Sequence, residues 1–109
     1  MSQSEITILN VHVISQKALR DFAKQHADAD VSLRGWFKLV KNGSYDNLAE
    51  LKRTFPSADY VPVGKRPFYV FNIGGNKFRA IAAIHFNVRK LFIRYVLTHA
   101  EYDKGDWKR

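Results

Sequence analysis

The apolar positions along this chain change their period once, near residue 60. Before that point they recur mostly every three to four residues, and after it they alternate or run together. Ile6 to Ile14 is an apolar run interrupted at Asn10 and predicts a first strand. Ser15 suits the N-cap of a helix from Gln16 to about His26. There Leu19, Phe22 and Ala23 share one face, and Lys17, Arg20 and Lys24 the other. Asp28-Ala29-Asp30 supplies a second cap, for a helix running to about Lys41 with Leu33, Trp36, Phe37 and Val40 at i, i+3, i+4 and i+7. That spacing marks Trp36 and Phe37 as core, and Asn42-Gly43 ends the helix. Asp46 or Asn47 caps a short third helix through Leu48, Leu51 and Phe55, which Pro56 stops.

The pattern then becomes that of strands. Phe68 to Ile73 is rich in aromatic and branched residues, and Gly74-Gly75-Asn76 suits a hairpin turn because Gly and Asn tolerate positive φ. Lys77 to Phe86 forms the returning arm, Asn87 to Lys90 a second turn, and Leu91 to Leu97 a third strand. The expected fold is therefore α+β. The N-terminal strand and a three-strand meander make an antiparallel sheet, with two or three helices on one face and the other face partly open. Residues 61–67 read as an irregular connection within one domain spanning 1–109. Strand alternation puts Lys77, Arg79, Ile81 and Ala83 opposite Phe78, Ala80, Ala82 and Ile84. It likewise puts Leu91, Ile93, Tyr95 and Leu97 opposite Phe92, Arg94 and Val96. Arg79 and Arg94 are thus charges inside apolar strands, and Arg is seldom buried unpaired, so each is expected to reach the open face or a partner.

Charge sharpens this picture. The net charge is +8, and residues 65–109 hold ten Lys/Arg against three Asp/Glu, whereas residues 1–64 are nearly balanced. Such a concentration repels itself unless something uses it, and the commonest user is a phosphate backbone. There is no cysteine, which excludes disulfides, thiolate metal sites and cysteine nucleophiles. No apolar run reaches the length of a membrane span, and Met1 to Glu5 lacks the basic and apolar regions of a signal peptide. These features suggest a cytoplasmic protein with no membrane contact.

Four stretches carry a resemblance: Leu33-Arg34-Gly35-Trp36-Phe37-Lys38, Phe55-Pro56-Ser57-Ala58-Asp59, the hairpin Val70 to Arg79, and Phe92-Ile93-Arg94-Tyr95-Val96 leading into Thr98-His99-Ala100-Glu101-Tyr102-Asp103-Lys104. In this order the chain resembles the HigB family of toxins, within the wider RelE-like superfamily of RNA-cleaving toxins. The resemblance covers about residues 11–105, and residues 1–10 read as an N-terminal extension. It implies a compact RelE-like fold, the toxin of a type II toxin–antitoxin pair, and cleavage of messenger RNA on the ribosome. It also implies a neutralising helix-turn-helix antitoxin of the HigA type.

Metal-free RNA cleavage proceeds by attack of a ribose 2′-OH on the adjacent phosphate. It needs a base, an acid, and cations for the charge developing on phosphorus. His99 is the leading acid–base candidate, because histidine exchanges protons near neutral pH and this one follows a strand end. Its alternative role is a backbone cap. Arg79 falls where the RelE-like pattern places a catalytic arginine. Arg94 either holds phosphate too or pairs with Glu101 or Asp103. Tyr102 either contacts RNA, by stacking or through its hydroxyl, or packs the tail against the sheet. Glu101 and Asp103 repel phosphate and rank below these. Lys65, Arg66, Lys77 and Lys104 are candidate RNA contacts, each with a solvated surface charge as its plainer explanation. His12, His26 and His85 show no metal-ligand spacing, so neither a metal nor another cofactor is expected. A non-catalytic RNA- or ribosome-binding domain is the alternative to an endoribonuclease. Direct DNA binding by this chain is disfavoured, because no helix resembles a basic recognition helix.

Overall fold

The computed structural model describes residues 10–109. The order is β1 (His12–Ile14), α1 (Lys17–Gln25), α2 (Asp30–Asn42), α3 (Leu48–Thr54), β2 (Asp59–Tyr60), β3 (Phe68–Ile73), β4 (Phe78–His85), β5 (Lys90–Thr98) and α4 (His99–Lys104). Short 3-10 turns occupy Ala27–Ala29, Phe86–Val88 and Asp106–Lys108. The architecture is α+β, as the change of period predicts. The part of the first expected strand that precedes Asn10 lies outside the described residues.

The five strands form one sheet in the order β1-β5-β4-β3-β2. The meander β3-β4-β5 is antiparallel, but β1 runs parallel to β5, with Val13 opposite Leu91. The sheet is therefore mixed, not wholly antiparallel. The long helical connection between β1 and the meander, α1 to α3, is what a parallel partnership with a later strand requires.

Helix α1 buries Leu19, and α2 buries Leu33, Trp36 and Val40 against the sheet. Phe71 of β3, 1% exposed, meets both Trp36 and Phe55 edge to face, with ring centres 5.2 and 5.3 Å apart. Two expected caps are replaced. Ser15 takes a left-handed φ of 71° and caps nothing, so Gln16 stands at the N-cap and its side-chain amide donates to the Val13 carbonyl. At α2, Ala29 is the N-cap, while Asp30 joins Arg34 in an ion pair one turn on. The third cap is as expected: Asn47 accepts from the Glu50 N–H at 3.0 Å.

The hairpin at Gly74-Gly75 uses φ of 61° and 69°, so both positions need glycine's freedom. Along β4 the predicted alternation holds. Phe78, Ala80, Ala82 and Ile84 join the helix-side core, while Ile81 and Ala83 join a second cluster with Phe68, Val70 and Trp107. Along β5 the alternation breaks. Ile81 pairs with Tyr95 and the next residue, Ala82, with Ile93, so Arg94 is the extra residue of a β-bulge. Leu91 and Ile93 consequently face the helices, whereas Tyr95 and Leu97 lie with Phe92 on the other face.

That second face is more covered than the sequence suggests. Val61 and Val63, on the connection between β2 and β3, pack on it, as do Tyr102 and the buried Trp107. Gly105, at φ 82°, ends α4 in a left-handed turn that brings Trp107 back onto the sheet.

Candidate active site

The tail after β5 is a helix, not an extended segment. Thr98 caps it: its hydroxyl accepts from the Glu101 N–H, and the Glu101 carboxylate accepts from the Thr98 N–H at 2.8 Å. This capping box occupies Glu101, which leaves it neither base nor orienter of His99. His99 is fixed at the first helical position, where its own N–H donates to the Lys77 carbonyl at 2.8 Å. The hairpin and the start of α4 are thereby tied together.

Arg79 reaches this junction from the other side. It is 6% exposed, and it is the one charged residue buried among the described residues. Its guanidinium donates to the Asn76 and Phe78 carbonyls at 3.1 Å each, to the Asn76 side-chain oxygen, and to His99 Nδ1 at 3.0 Å. All four acceptors are neutral, and among the described residues no carboxylate lies within ion-pair distance. A buried charge without a counterion is costly. The cost is moderated here by hydrogen bonds that satisfy the donors without cancelling the charge.

The contacts of His99 fix its tautomer. A guanidinium only donates, so Nδ1 is the acceptor and the ring proton sits on Nε2. Nε2 faces Asp103, one helical turn on, at 2.9 Å from Oδ2. The His99 side chain is 44% exposed and so open to solvent, while Arg79 behind it is not. Tyr102 completes the cluster. One ring face lies beneath the Arg79 guanidinium at 5.3 Å, and the ring stacks on Trp107 at 5.4 Å with planes 15° apart. The Trp107 indole N–H in turn donates to the Tyr102 carbonyl. Both ring faces are thus engaged, which favours the packing role and leaves the phenol oxygen for any contact with ligand.

The structure therefore brings together three of the four residues that the sequence singles out for catalysis: Arg79, His99 and Tyr102. Arg94 is elsewhere. It sits on the bulge four residues before Thr98, about 13 Å along the strand, with its guanidinium over the Phe92 ring at 5.5 Å. It makes no ion pair with Glu101 or Asp103. Among the basic candidates, Lys77 pairs with Asp28 at 3.9 Å and Lys104 with Asp106 at 3.6 Å, while Lys65 and Arg66 line a groove with Arg94. Asn76, Asp103 and Trp107 are the members of the cluster that the sequence reading passes over or ranks low. The signal for Asp103 was present, since Thr98-x-x-Glu101 is a helix start and His99 and Asp103 are then i, i+4 neighbours.

Similarity to known proteins agrees with this geometry. The profile of a family described as the RelE-like toxic component of a toxin–antitoxin system matches residues 29–105. The mRNA interferase toxin HigB of Escherichia coli K12 is 38% identical over 93 residues, covering 85% of this chain and 88% of the relative. The mRNA interferase HigB of Shigella flexneri matches equally, and that of Escherichia coli O6:H1 is 29% identical over 94 residues, covering 86% and 90%. The matched span contains Arg79, His99, Tyr102 and Asp103, and on these grounds the chain belongs to the HigB family of toxins.

Proposed function

We propose that the chain is an endoribonuclease that cleaves messenger RNA on the ribosome as the toxin of a type II toxin–antitoxin pair. The observation that carries this reading is the buried Arg79 guanidinium, without a carboxylate partner among the described residues, in direct hydrogen bond with the exposed His99 imidazole. An uncancelled positive charge beside a proton-transfer group is what in-line attack of a 2′-OH on phosphate requires. Arg79 exchanges its hydrogen bond to His99 for one to a non-bridging phosphate oxygen and stabilises the charge that develops there. His99 moves the proton: Nδ1, released from Arg79 by the substrate, takes it from the 2′-OH, or the imidazolium, protonated on both nitrogens, gives one to the leaving 5′-oxygen. Asp103, hydrogen-bonded to Nε2, orients the imidazole. Tyr102 supports Arg79 from below and presents its hydroxyl at the rim. In this reading the cation work falls to Arg79, and no metal or other cofactor is required.

The remaining assignments follow the family. The partner is a helix-turn-helix antitoxin of the HigA type, the setting is the cytoplasm, and residues 1–109 act as one domain with 1–10 as an extension. Lys77 and Lys104 flank the cluster at the hairpin and on α4, and they add phosphate contacts when their weak surface pairs open.

The test is induction of the wild-type chain and of His99→Ala and Arg79→Ala variants in cells, with growth and messenger RNA ends followed. Wild type should arrest growth and create new RNA ends, and both variants should do neither. A wild type that arrests growth without new ends would point to RNA or ribosome binding alone. Variants as toxic as wild type would dismiss the site.

A further inference from the structure

A second cationic group lies on the same face of the sheet as Arg79, farther along the strands. Lys65 and Arg66 before β3, His85 at the end of β4 and Arg94 on the bulge of β5 line a groove of about 450 Å³ over Phe68 and Tyr95. From Arg79 to His85 is six residues of β4, or about 20 Å. That is the far end of the groove; its near end, at Tyr95 opposite Ile81, is two residues or about 7 Å along β4 from Arg79, so the groove extends the face of the catalytic cluster away from it.

Two features together mark these cations. First, like several other surface lysines and arginines, they lack carboxylate partners among the described residues. Lys17, Arg34, Lys77, Arg89, Lys104 and Arg109 all pair with aspartates, whereas Lys65, Arg66 and Arg94 make no ion pair among the described residues. Second, they are held in place by other means. The segment 63–66 closes on itself through two backbone hydrogen bonds of 3.1 Å, and Arg66 Nε donates to the Val63 carbonyl. The Arg66 guanidinium lies 5.2 Å from the Phe68 ring centre, and Arg94 lies 5.5 Å from that of Phe92. Both arginines are thus oriented by aromatic rings, and the terminal amino groups of each make no hydrogen bond among the described residues. Planar forks positioned in this way suit phosphate oxygens.

We propose that this groove is a second RNA subsite, holding backbone phosphates of the substrate strand a few nucleotides from the scissile bond. It rests on the RNA-cleaving reading above and assigns Arg94 to binding rather than to catalysis. The bulge is the device: one extra residue lets an arginine leave the sheet between Ile93 and Tyr95, both of which stay packed.

The test uses the full chain carrying His99→Ala, which prevents cleavage, and labelled single-stranded RNA of two lengths, a trinucleotide and a dodecamer. Adding Arg66→Ala and Arg94→Ala should weaken dodecamer binding by about 10- to 100-fold and leave the trinucleotide unchanged. The slope of log affinity against log salt should fall by about 1.4, as expected for two phosphates of a single strand. Arg66→Lys with Arg94→Lys should keep most of that slope, which separates charge from folding. Unchanged dodecamer affinity, or equal loss at both lengths, overturns the proposal. So does a double variant that keeps its RNA affinity but loses the antitoxin, because the groove would then be a protein-docking surface. Failure of the parent reading looks different: the chain with His99 intact would bind the dodecamer through the groove and yet leave messenger RNA on translating ribosomes uncut.

Discussion

On one side of β4, Phe78, Ala80, Ala82 and Ile84 sit beneath the helices. On the other, Arg79, Ile81 and Ala83 sit beneath a loop and a folded-back tail. The helix side is closed over the sheet by interlocking aromatics, and its clefts open between the helices and beside β1. The tail side buries a smaller apolar cluster and, at its margin, a guanidinium satisfied by neutral acceptors. Apolar burial stabilises by about 25 cal/mol per Å², so the larger cluster carries the fold. The smaller one has room for a charge that contributes nothing by packing. The difference assigns stability to one face and chemistry to the other.

That division can be broken most sharply at His99. His99→Ala should cut cleavage by about 10²–10⁴-fold, while the protein stays folded and loses no more than the roughly 1.5–3 kcal/mol of the hydrogen bond to Arg79. If the variant unfolds instead, the tail face is structural and the contrast fails. The mirror experiment is Phe71→Ala on the helix side. It should cost about 3–5 kcal/mol in urea unfolding, with the remaining folded fraction still cleaving at its normal rate. Normal stability would show that Phe71 is not the keystone its 1% exposure suggests.

A finer probe is Asp103→Asn. The pair with His99 is exposed and worth little to stability. A hydrogen bond to a charged group is worth about 1.5–3 kcal/mol, so cleavage should fall roughly 10- to 100-fold with unfolding unaltered. Equal cleavage by both proteins would remove Asp103 from the site. The smallest effect concerns pH. Burial pushes the phenols of Tyr45 and Tyr69, both in the helix-side core, above their ordinary range. The folded state then holds these protons more tightly than the unfolded state. Stability should be level below about pH 10 and decline as pH rises beyond the ordinary tyrosine range. Unfolding curves at pH 9 and 11 for wild type and Tyr69→Phe would show it, with the variant declining less.

What was legible in the sequence follows the range of the interactions. The helix faces and the hairpin at Gly74-Gly75 were readable because they are set by neighbours a few residues apart. The parallel partnership of β1 with β5 was not, because no local pattern encodes contact between Val13 and Leu91. The bulge at Arg94 was hidden for a related reason: alternation assumes an unbroken ladder, and one extra residue reverses every side after it. In the site, Arg79, His99 and Tyr102 stood out by chemistry. Glu101 and Asp103 were ranked low together, and only the helix separates them, one as a cap and one as the imidazole's partner.

The pairing of β1 with β5 also has a consequence for the order in which the molecule comes into being. Chains fold as they emerge, N-terminal parts first. Here the first described strand waits for the last one before it has a neighbour, and His99 follows directly after that strand. The sheet is therefore complete only once β5 has left the ribosome, and Arg79 gains the imidazole beside it no earlier than that: the arrangement of the cluster waits on the closing strand of the fold.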